Sequence, residues 1–415
     1  MREKESMIFN IRQIRRGIAR HKYKTILTGL IGVLSVLLLH IYAGNMDSTE
    51  RQLKRLPEVM RVQAKVSNLN GSLEEGMTIR EDRVQAIRAS GHAEDVVFTV
   101  RLRLGFGAFT PEEYEGNLSY YGAGMNAIGG VPGLKEEEIT FLPGKDVSAL
   151  ETAEKVCIMD AALMEREGLR LGDEVEMTSF CYRYEERNYE IFLDILGTDV
   201  YRIIGAMRIG AYEGNWVPAD VIFPLDCMRE LFHRQGIEFM ADSGSFVVKD
   251  PFRLNECKEE MEGIGMLPVA SRADFSYDGN ALTIMDESFI RSAEALEENL
   301  ALLRGMFPFV AALVILIGYI CSYLSIQSRK EEYALLRSLG AGRCRSFFVF
   351  FGETAVVAAL AVLCGSGVAF LLFSVSLKVS AQAGTLFFFA FLAGTAAALL
   401  SLHRLSVMEM LSKND

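Results

Sequence analysis

Four long apolar runs constrain this chain more than any other feature. They are 25–42 (TILTGLIGVLSVLLLHIY), 306–326 (MFPFVAALVILIGYICSYLSI), 347–375, and 385–402 (TLFFFAFLAGTAAALLSL). A membrane-spanning helix needs roughly 20 mostly apolar residues. A buried helix of a soluble protein would show a polar face, and these runs show none. The expectation is an integral membrane α-helical protein of four transmembrane helices. Between the first and second lies a polar stretch, 43–305, expected to be a large mixed α+β extracytoplasmic domain.

Charge follows the same division. Residues 43–305 carry 27 Lys+Arg against 47 Asp+Glu, and the remainder carries 16 against 7. The net charge of −11 therefore hides an acidic block between basic, apolar ends. The mean hydropathy of +0.19 is high for a soluble protein. The acidic excess disfavours a nucleic-acid partner.

Lysine and arginine in short flanking segments orient a membrane protein, the richer flanks staying inside. Eight precede the first run: Arg2, Lys4, Arg12, Arg15, Arg16, Arg20, Lys22 and Lys24. Five lie between the second and third: Arg329, Lys330, Arg337, Arg343 and Arg345. Only Lys378 lies between the third and fourth, and Arg404 and Lys413 follow the last. This alternation predicts a multi-pass protein of the cell (plasma or inner) membrane with both termini cytoplasmic. A cleaved signal peptide is the other reading of 25–42, but its apolar core would usually be shorter.

The expected segments are therefore a basic amphipathic cytoplasmic helix (1–24), a first span (25–42), and the outer domain (43–305). A second span (306–326), a cytoplasmic helix (327–346) and a third span (347–375) follow. A short outer loop (376–384), a fourth span (385–402) and a cytoplasmic tail (403–415) complete the chain. Ile8, Ile11, Ile14 and Ile18 form the apolar stripe of the first segment, which should lie at the inner membrane surface. Periodic apolar residues predict helical stalks at 43–57, stopped by Pro57, and at 286–305. The stalks serve either as levers or as spacers. Between them, strands are expected at 62–66, 96–104, 155–159, 173–177, 189–196, 201–207, 221–224 and 245–248, and helices at 161–168 and 251–263. The Gly/Tyr-rich stretch 114–133 reads as a loop.

The segment SRKEEYALLRSLGAGRCRSF, 328–347, separates the second and third runs. Tyr333, Leu336 and Leu339 share a helical stripe with Leu335 beside it, and Gly340 suits the left-handed residue that ends a helix. A plain connection would be shorter. The helix is either a docking surface for a cytoplasmic partner or an ordinary interfacial helix. Glu353 lies within the third run, where a charged residue is costly. It either pairs with Arg343 or Arg345 or handles a proton or substrate.

Residues 331–372, EEYALLRSLGAGRCRSFFVFFGETAVVAALAVLCGSGVAFLL, resemble the signature of FtsX-like or MacB-type ABC-transporter permeases. The basic N-terminal stretch IRQIRRGIARHKYKTILTGLIGVLSV is also similar, as is RLSVMEML near the end, though it lacks the family's usual Pro. The outer segment 144–177 resembles the family's outer core, with Gly144-Lys145 and Leu171-Gly172-Asp173 in place. The resemblance implies a coupling helix seated on a separate ATPase. Its residues here are Glu331, Glu332, Leu335, Leu336, Arg337, Leu339, Gly340, Ala341 and Arg343, with Glu353 as the intramembrane acid. It also implies a dimer with a second copy or a paralogous permease.

This chain has no phosphate-binding Gly-x-x-x-x-Gly-Lys-Ser/Thr loop. No cofactor is expected on it; ATP and Mg would be bound by the partner ATPase. No catalytic constellation is legible, and the seven cysteines show no metal-ligand spacing. The four outer cysteines are either buried thiols or include a Cys157–Cys181 disulfide. The expected role is a non-catalytic permease subunit that exports or extracts an amphipathic substrate by mechanotransmission, in contact with membrane lipid. The alternative is an FtsX-like sensor that activates an extracytoplasmic partner such as a cell-wall hydrolase. A stand-alone secondary transporter is disfavoured by the few intramembrane charges.

Overall fold

A computed structural model describes the chain apart from residues 1–13, 15, 17, 108–118, 132, 186–189, 209–218, 271, 273–278, 328–331, 333–341, 374–375 and 404–415. The described elements, in chain order, begin with helix α1 (Lys22–Val59) and strands β1 (Gln63–Ser67) and β2 (Ile79–Arg80). Helix α2 (Glu81–Ala89) and strands β3 (Ala93–Phe106), β4 (Tyr120–Met125), β5 (Ile139–Phe141) and β6 (Val156–Asp160) follow. Next come α3 (Ala161–Glu167), β7 (Glu174–Glu185), β8 (Glu190–Met207), β9 (Val221–Pro224) and α4 (Leu225–Arg234). Strands β10 (Met240–Ala241) and β11 (Ser243–Val248), helix α5 (Leu254–Ile264), and strands β12 (Leu267–Pro268) and β13 (Ala281–Ile284) complete the middle. Helices α6 (Glu287–Gln327), α7 (Arg343–Phe373) and α8 (Leu377–His403) end the chain.

These elements form two units, residues 57–290 and the remainder. In the first unit eleven strands form one sheet in the order β12-β13-β1-β11-β3-β4-β9-β6-β8-β5, with β7 pairing both β3 and β8. The circuit β3-β4-β9-β6-β8-β7 therefore closes on itself, which removes edges along that part of the sheet. Its core includes Met125, Ile158, Ile204, Met207 and Ile222, all at or near zero exposure. Helix α4 covers this sheet with Leu225, Cys227, Met228, Leu231 and Phe232, a stripe at helical spacing. Helix α3 starts on Asp160, whose carboxylate accepts from the Leu163 amide, and ends on Gly168 at φ 70°. Both are the terminators the physics favours.

Two sequence expectations are corrected here, and one pair of alternatives is resolved. Residues 120–125 were expected within a loop but form β4, in the middle of the sheet. Glycine is required there rather than merely tolerated. A Cβ on Gly122 would sit 2.4 Å from Leu104 Cδ2, and one on Gly124 would sit 2.6 Å from Met228 Cγ. The two strands expected at 189–196 and 201–207 are, from Glu190 on, the single strand β8, because Gly197 at φ 117° permits an irregularity opposite Ser179–Phe180 without breaking the ladder. Cys157 and Cys181 are free thiols.

The second unit contains α1, α6, α7 and α8, four helices long and apolar enough to cross a membrane. They converge on a core of Val36 and Leu39 from α1, Val314 from α6, Ala358 and Ala361 from α7, and Phe387 and Phe391 from α8. Small residues set the approach distances. A Cβ on Gly32 would lie 2.9 Å from Ala361 Cβ, and one on Gly394 would lie 2.3 Å from the Ile315 carbonyl. Two more expectations change. Pro57 does not stop α1 but sits in its last turn. Residues 377–384, expected as an outer loop, are the first turns of α8. Ser376 Oγ accepts from the Val379 amide at 3.4 Å, and nothing before Gly384 disfavours helix.

Candidate functional site at the link between the second and third long helices

The site lies where the chain's first residues meet the link between α6 and α7. The leading segment has helical residues at Ile14, Arg16 and Ile18–Arg20, turns at His21, and continues as α1. The His21 carbonyl accepts from both the Lys24 and Thr25 amides at 3.1 Å. Ile14, from the predicted apolar stripe, reaches α7. Its Cδ1 lies 2.7 Å from where a Cβ on Gly352 would stand. Glycine at 352 thus makes the seat for Ile14.

Glu332 comes to the same segment from 311 residues away. His21 Nε2 lies 3.0 Å from Glu332 Oε1, and Arg20 Nη1 donates to the same oxygen at 3.3 Å. A carboxylate has only acceptor sites, so the imidazole donates through Nε2–H. His21 and Glu332 are about a quarter exposed, whereas Arg20 is 75 % exposed. The Arg20 contact is thereby the more screened of the two.

Of the other residues expected at this site, Glu331, Leu335, Leu336, Arg337, Leu339, Gly340 and Ala341 lie outside the described residues. Arg343 is the first residue of α7, with its side chain outside them too. Glu353 lies in the third turn of α7, next to the Ile14 seat, and is buried at 8 % exposure. Sequence reasoning missed the partners of Glu332, because no local pattern joins positions so far apart.

It also missed a polar lock inside the bundle. His40, fully buried on α1, has Nδ1 2.8 Å from the Val36 carbonyl and Nε2 3.0 Å from Ser380 Oγ on α8. The carbonyl can only accept, so Nδ1 carries the proton and Nε2 accepts from the serine hydroxyl. The signal was present: His40 is the one histidine in the run 25–42, which holds no Asp, Glu, Lys or Arg. A second such bond joins Ser322 of α6 to Thr395 of α8 at 2.8 Å. Near the other end of this unit, a cleft of about 330 Å³ is lined by Leu39, Ala43, Met46 and Phe307 with Val379 and Leu386. Asp47 and Glu50 also line it, and are paired with Arg51 at 2.5 Å and Lys54 at 2.8 Å.

The first unit has its own electrostatic features. Asp199 bridges Lys155 at 2.5 Å and Arg234. Burial would raise its carboxyl, but these two cations outweigh it and hold it below the usual range. Asp242 is the opposite case. Burial pushes it up to about 6, although it accepts from the Arg101 amide. A pocket of about 410 Å³ lies between α5 and β13, lined by Met261, Met266, Leu267 and Ile284 with Lys258 and Asp286 at 3.0 Å on its rim. Among the described residues no group of three or more His, Cys, Asp or Glu could hold a metal ion.

Four helices long and apolar enough to cross a membrane, with an α+β unit in the sequence between the first and the second, fit a membrane protein. Residues 305–408 match the family described as FtsX-like permease C-terminal. No curated protein matches the sequence. Solved structures with partial similarity include the periplasmic region of MacB from Actinobacillus actinomycetemcomitans. That match has 10% identity and a TM-score of 0.30 and covers 56% of this chain and 92% of that one. Another is the extracellular domain of the noncanonic ABC-type transporter YknZ from Gram-positive bacteria, at 11% identity and a TM-score of 0.28, covering 49% and 89%.

Proposed function

We propose that this protein is the permease subunit of an ABC transporter, coupled to a separate cytoplasmic ATPase. The observation that carries this reading is the FtsX-like match over 305–408, which includes the link around Glu332. The link, 327–346, is the coupling helix. Leu335, Leu336 and Leu339 form its contact stripe, with Glu331, Arg337, Gly340, Ala341 and Arg343 framing it. ATP and Mg belong to the partner chain.

Two permease copies, or this chain and a paralogue, form the working dimer. Closure of the ATPases draws the two links together. α6 carries the motion, because the residues that follow the domain and the second apolar run are one helix of 41 residues. Such a helix is about 60 Å long. The outer domain then moves an amphipathic substrate (a lipid, peptide or antibiotic) out of the membrane plane. The N- and C-termini are cytoplasmic in this reading, and 57–290 lies outside.

The test is co-expression with a candidate cytoplasmic ABC ATPase from the same cells, pull-down, and measurement of ATP turnover in nanodiscs. Leu335→Glu with Leu336→Glu should abolish co-purification and permease-dependent turnover while the permease itself still folds. Unchanged assembly in that variant sinks the docking assignment. Substrate export from cells, set against activation of a cell-wall hydrolase, separates transport from the sensor role.

A further inference from the structure

We propose that Glu332 is a positioning residue that fastens the coupling link to the chain's own N-terminal segment. It does so through His21 and Arg20, and it is not a contact to the ATPase. This rests on the coupling reading above and specifies how the link is held.

Three observations converge. Glu332 Oε1 receives both His21 Nε2 and Arg20 Nη1, at 3.0 and 3.3 Å. These partners flank the point where the leading segment turns into α1, so the link is tied to the base of the first long helix. The same leading segment is seated on α7 by Ile14 against Gly352. It thus touches both the link and the helix that follows the link. A segment held at two such points fixes where the link begins relative to α7.

The charge pattern agrees. The leading stretch is strongly basic, and Glu331-Glu332 are the only acids in the link 327–346. An acid in this link serves its own chain's cations better than a distant surface. Because Glu332 is only about a quarter exposed, its pairing is screened less than that of a fully solvated ion pair.

The experiment uses the full chain in nanodiscs, first alone and then with its ATPase. Hydrogen exchange of the link amides, measured without ATPase, should rise about two- to fivefold in Glu332→Gln and in the double variant Arg20→Gln/His21→Gln, the range of a partly screened pair. The charge-reversed double variant Arg20→Glu/Glu332→Lys should return exchange towards wild type, whereas Glu332→Lys alone should not. In the complex, Glu332→Lys should lower ATP turnover at saturating ATP with little change in the KM for ATP, and the reversed pair should recover it. Glu332→Asp should recover it in part.

Unchanged link exchange in Glu332→Gln overturns the proposal. So does failure of the reversed pair to recover a defect seen in Glu332→Lys, which would place the acid against another molecule. If the exchange results hold but no ATPase co-purifies with wild type, the fastening stands and the coupling reading falls.

Discussion

Placing one methyl group at position 394 should separate two of the long helices. A Cβ on Gly394 would stand 2.3 Å from the Ile315 carbonyl oxygen and 2.5 Å from the Tyr319 nitrogen; one on Gly318 would stand 2.8 Å from the Phe391 carbonyl oxygen. The helices α6 and α8 therefore meet backbone to backbone. An ordinary Cβ contact begins at 3.4 Å, so Gly394→Ala must open the crossing by about 1.1 Å (3.4 − 2.3). Backbone atoms cannot turn aside as a side-chain end can. Overpacking of this kind costs roughly 1–3 kcal/mol. The neighbouring Ser322–Thr395 bond, 2.8 Å long, would stretch as well, and interhelical bonds of this type contribute about 0.6 to 1.7 kcal/mol. The expected loss is about 2–4 kcal/mol. The control is Gly367→Ala, since a Cβ at 367 meets nothing within 4 Å. Both variants would be purified in one detergent and their unfolding followed by thermal shift and by denaturant titration in micelles. Gly394→Ala should melt well below wild type, and Gly367→Ala should match it. Equal stability of the two variants would refute the backbone contact. Gly318→Ala combined with Gly394→Ala should cost less than the sum of the two, since both open the same crossing.

Other outcomes follow from the remaining geometry. Ser380→Ala should lower stability by roughly 1 kcal/mol by leaving His40 Nε2 without its donor, whereas Ser380→Thr, which keeps the hydroxyl, should lose less; comparing their melting temperatures is the check. The raised carboxyl of Asp242 makes the fold favour the protonated form, so its contribution is present below the ordinary value of 3.8 and is lost as pH rises to about 6. Asp242→Asn should flatten that pH dependence and raise the melting temperature at pH 7.5 by an amount worth at most about 3 kcal/mol; a melting curve that stays as steep between pH 4 and 6 would count against it. Burial pushes the Cys227 and Cys257 thiols up to about 11, and Cys157 is fully buried. A water-soluble maleimide at pH 7.5 should modify none of these three in the native protein and all of them in guanidinium, read by intact mass.

The long helices were legible because apolar run length is a coarse signal that neighbouring residues reinforce. Their ends were not. Pro57 reads as a stop, yet in the last turn of a long helix it removes little. The onset of α8 needed Ser376 to be seen as a cap rather than as part of a polar loop. In the domain, strands with alternating side chains, such as β1 and β11, and the continuously apolar β9 could be read from the residues. β4 could not, because YYGAGM has the composition of a loop. Only the three-dimensional crowding of Leu102, Leu104, Val100 and Met228 explains its glycines. The candidate site divides in the same way. The link and its acids were visible as a charged interruption between apolar runs, whereas the cations that hold Glu332 are its neighbours only after folding.

The pairing of β1 with β13 has a mechanical meaning. The first strand of the domain lies antiparallel to the last, with Ala64 opposite Ile284 and Ser67 opposite Ala281. The chain therefore enters beside the place where it leaves. Drawing those two ends apart would load the Ala64–Ile284 end of the ladder first and peel it one hydrogen bond at a time, a weak mode of resistance. Moving them together loads none of these bonds. Separation of the two ends is therefore the displacement this ladder resists least, and a joint displacement leaves it unloaded.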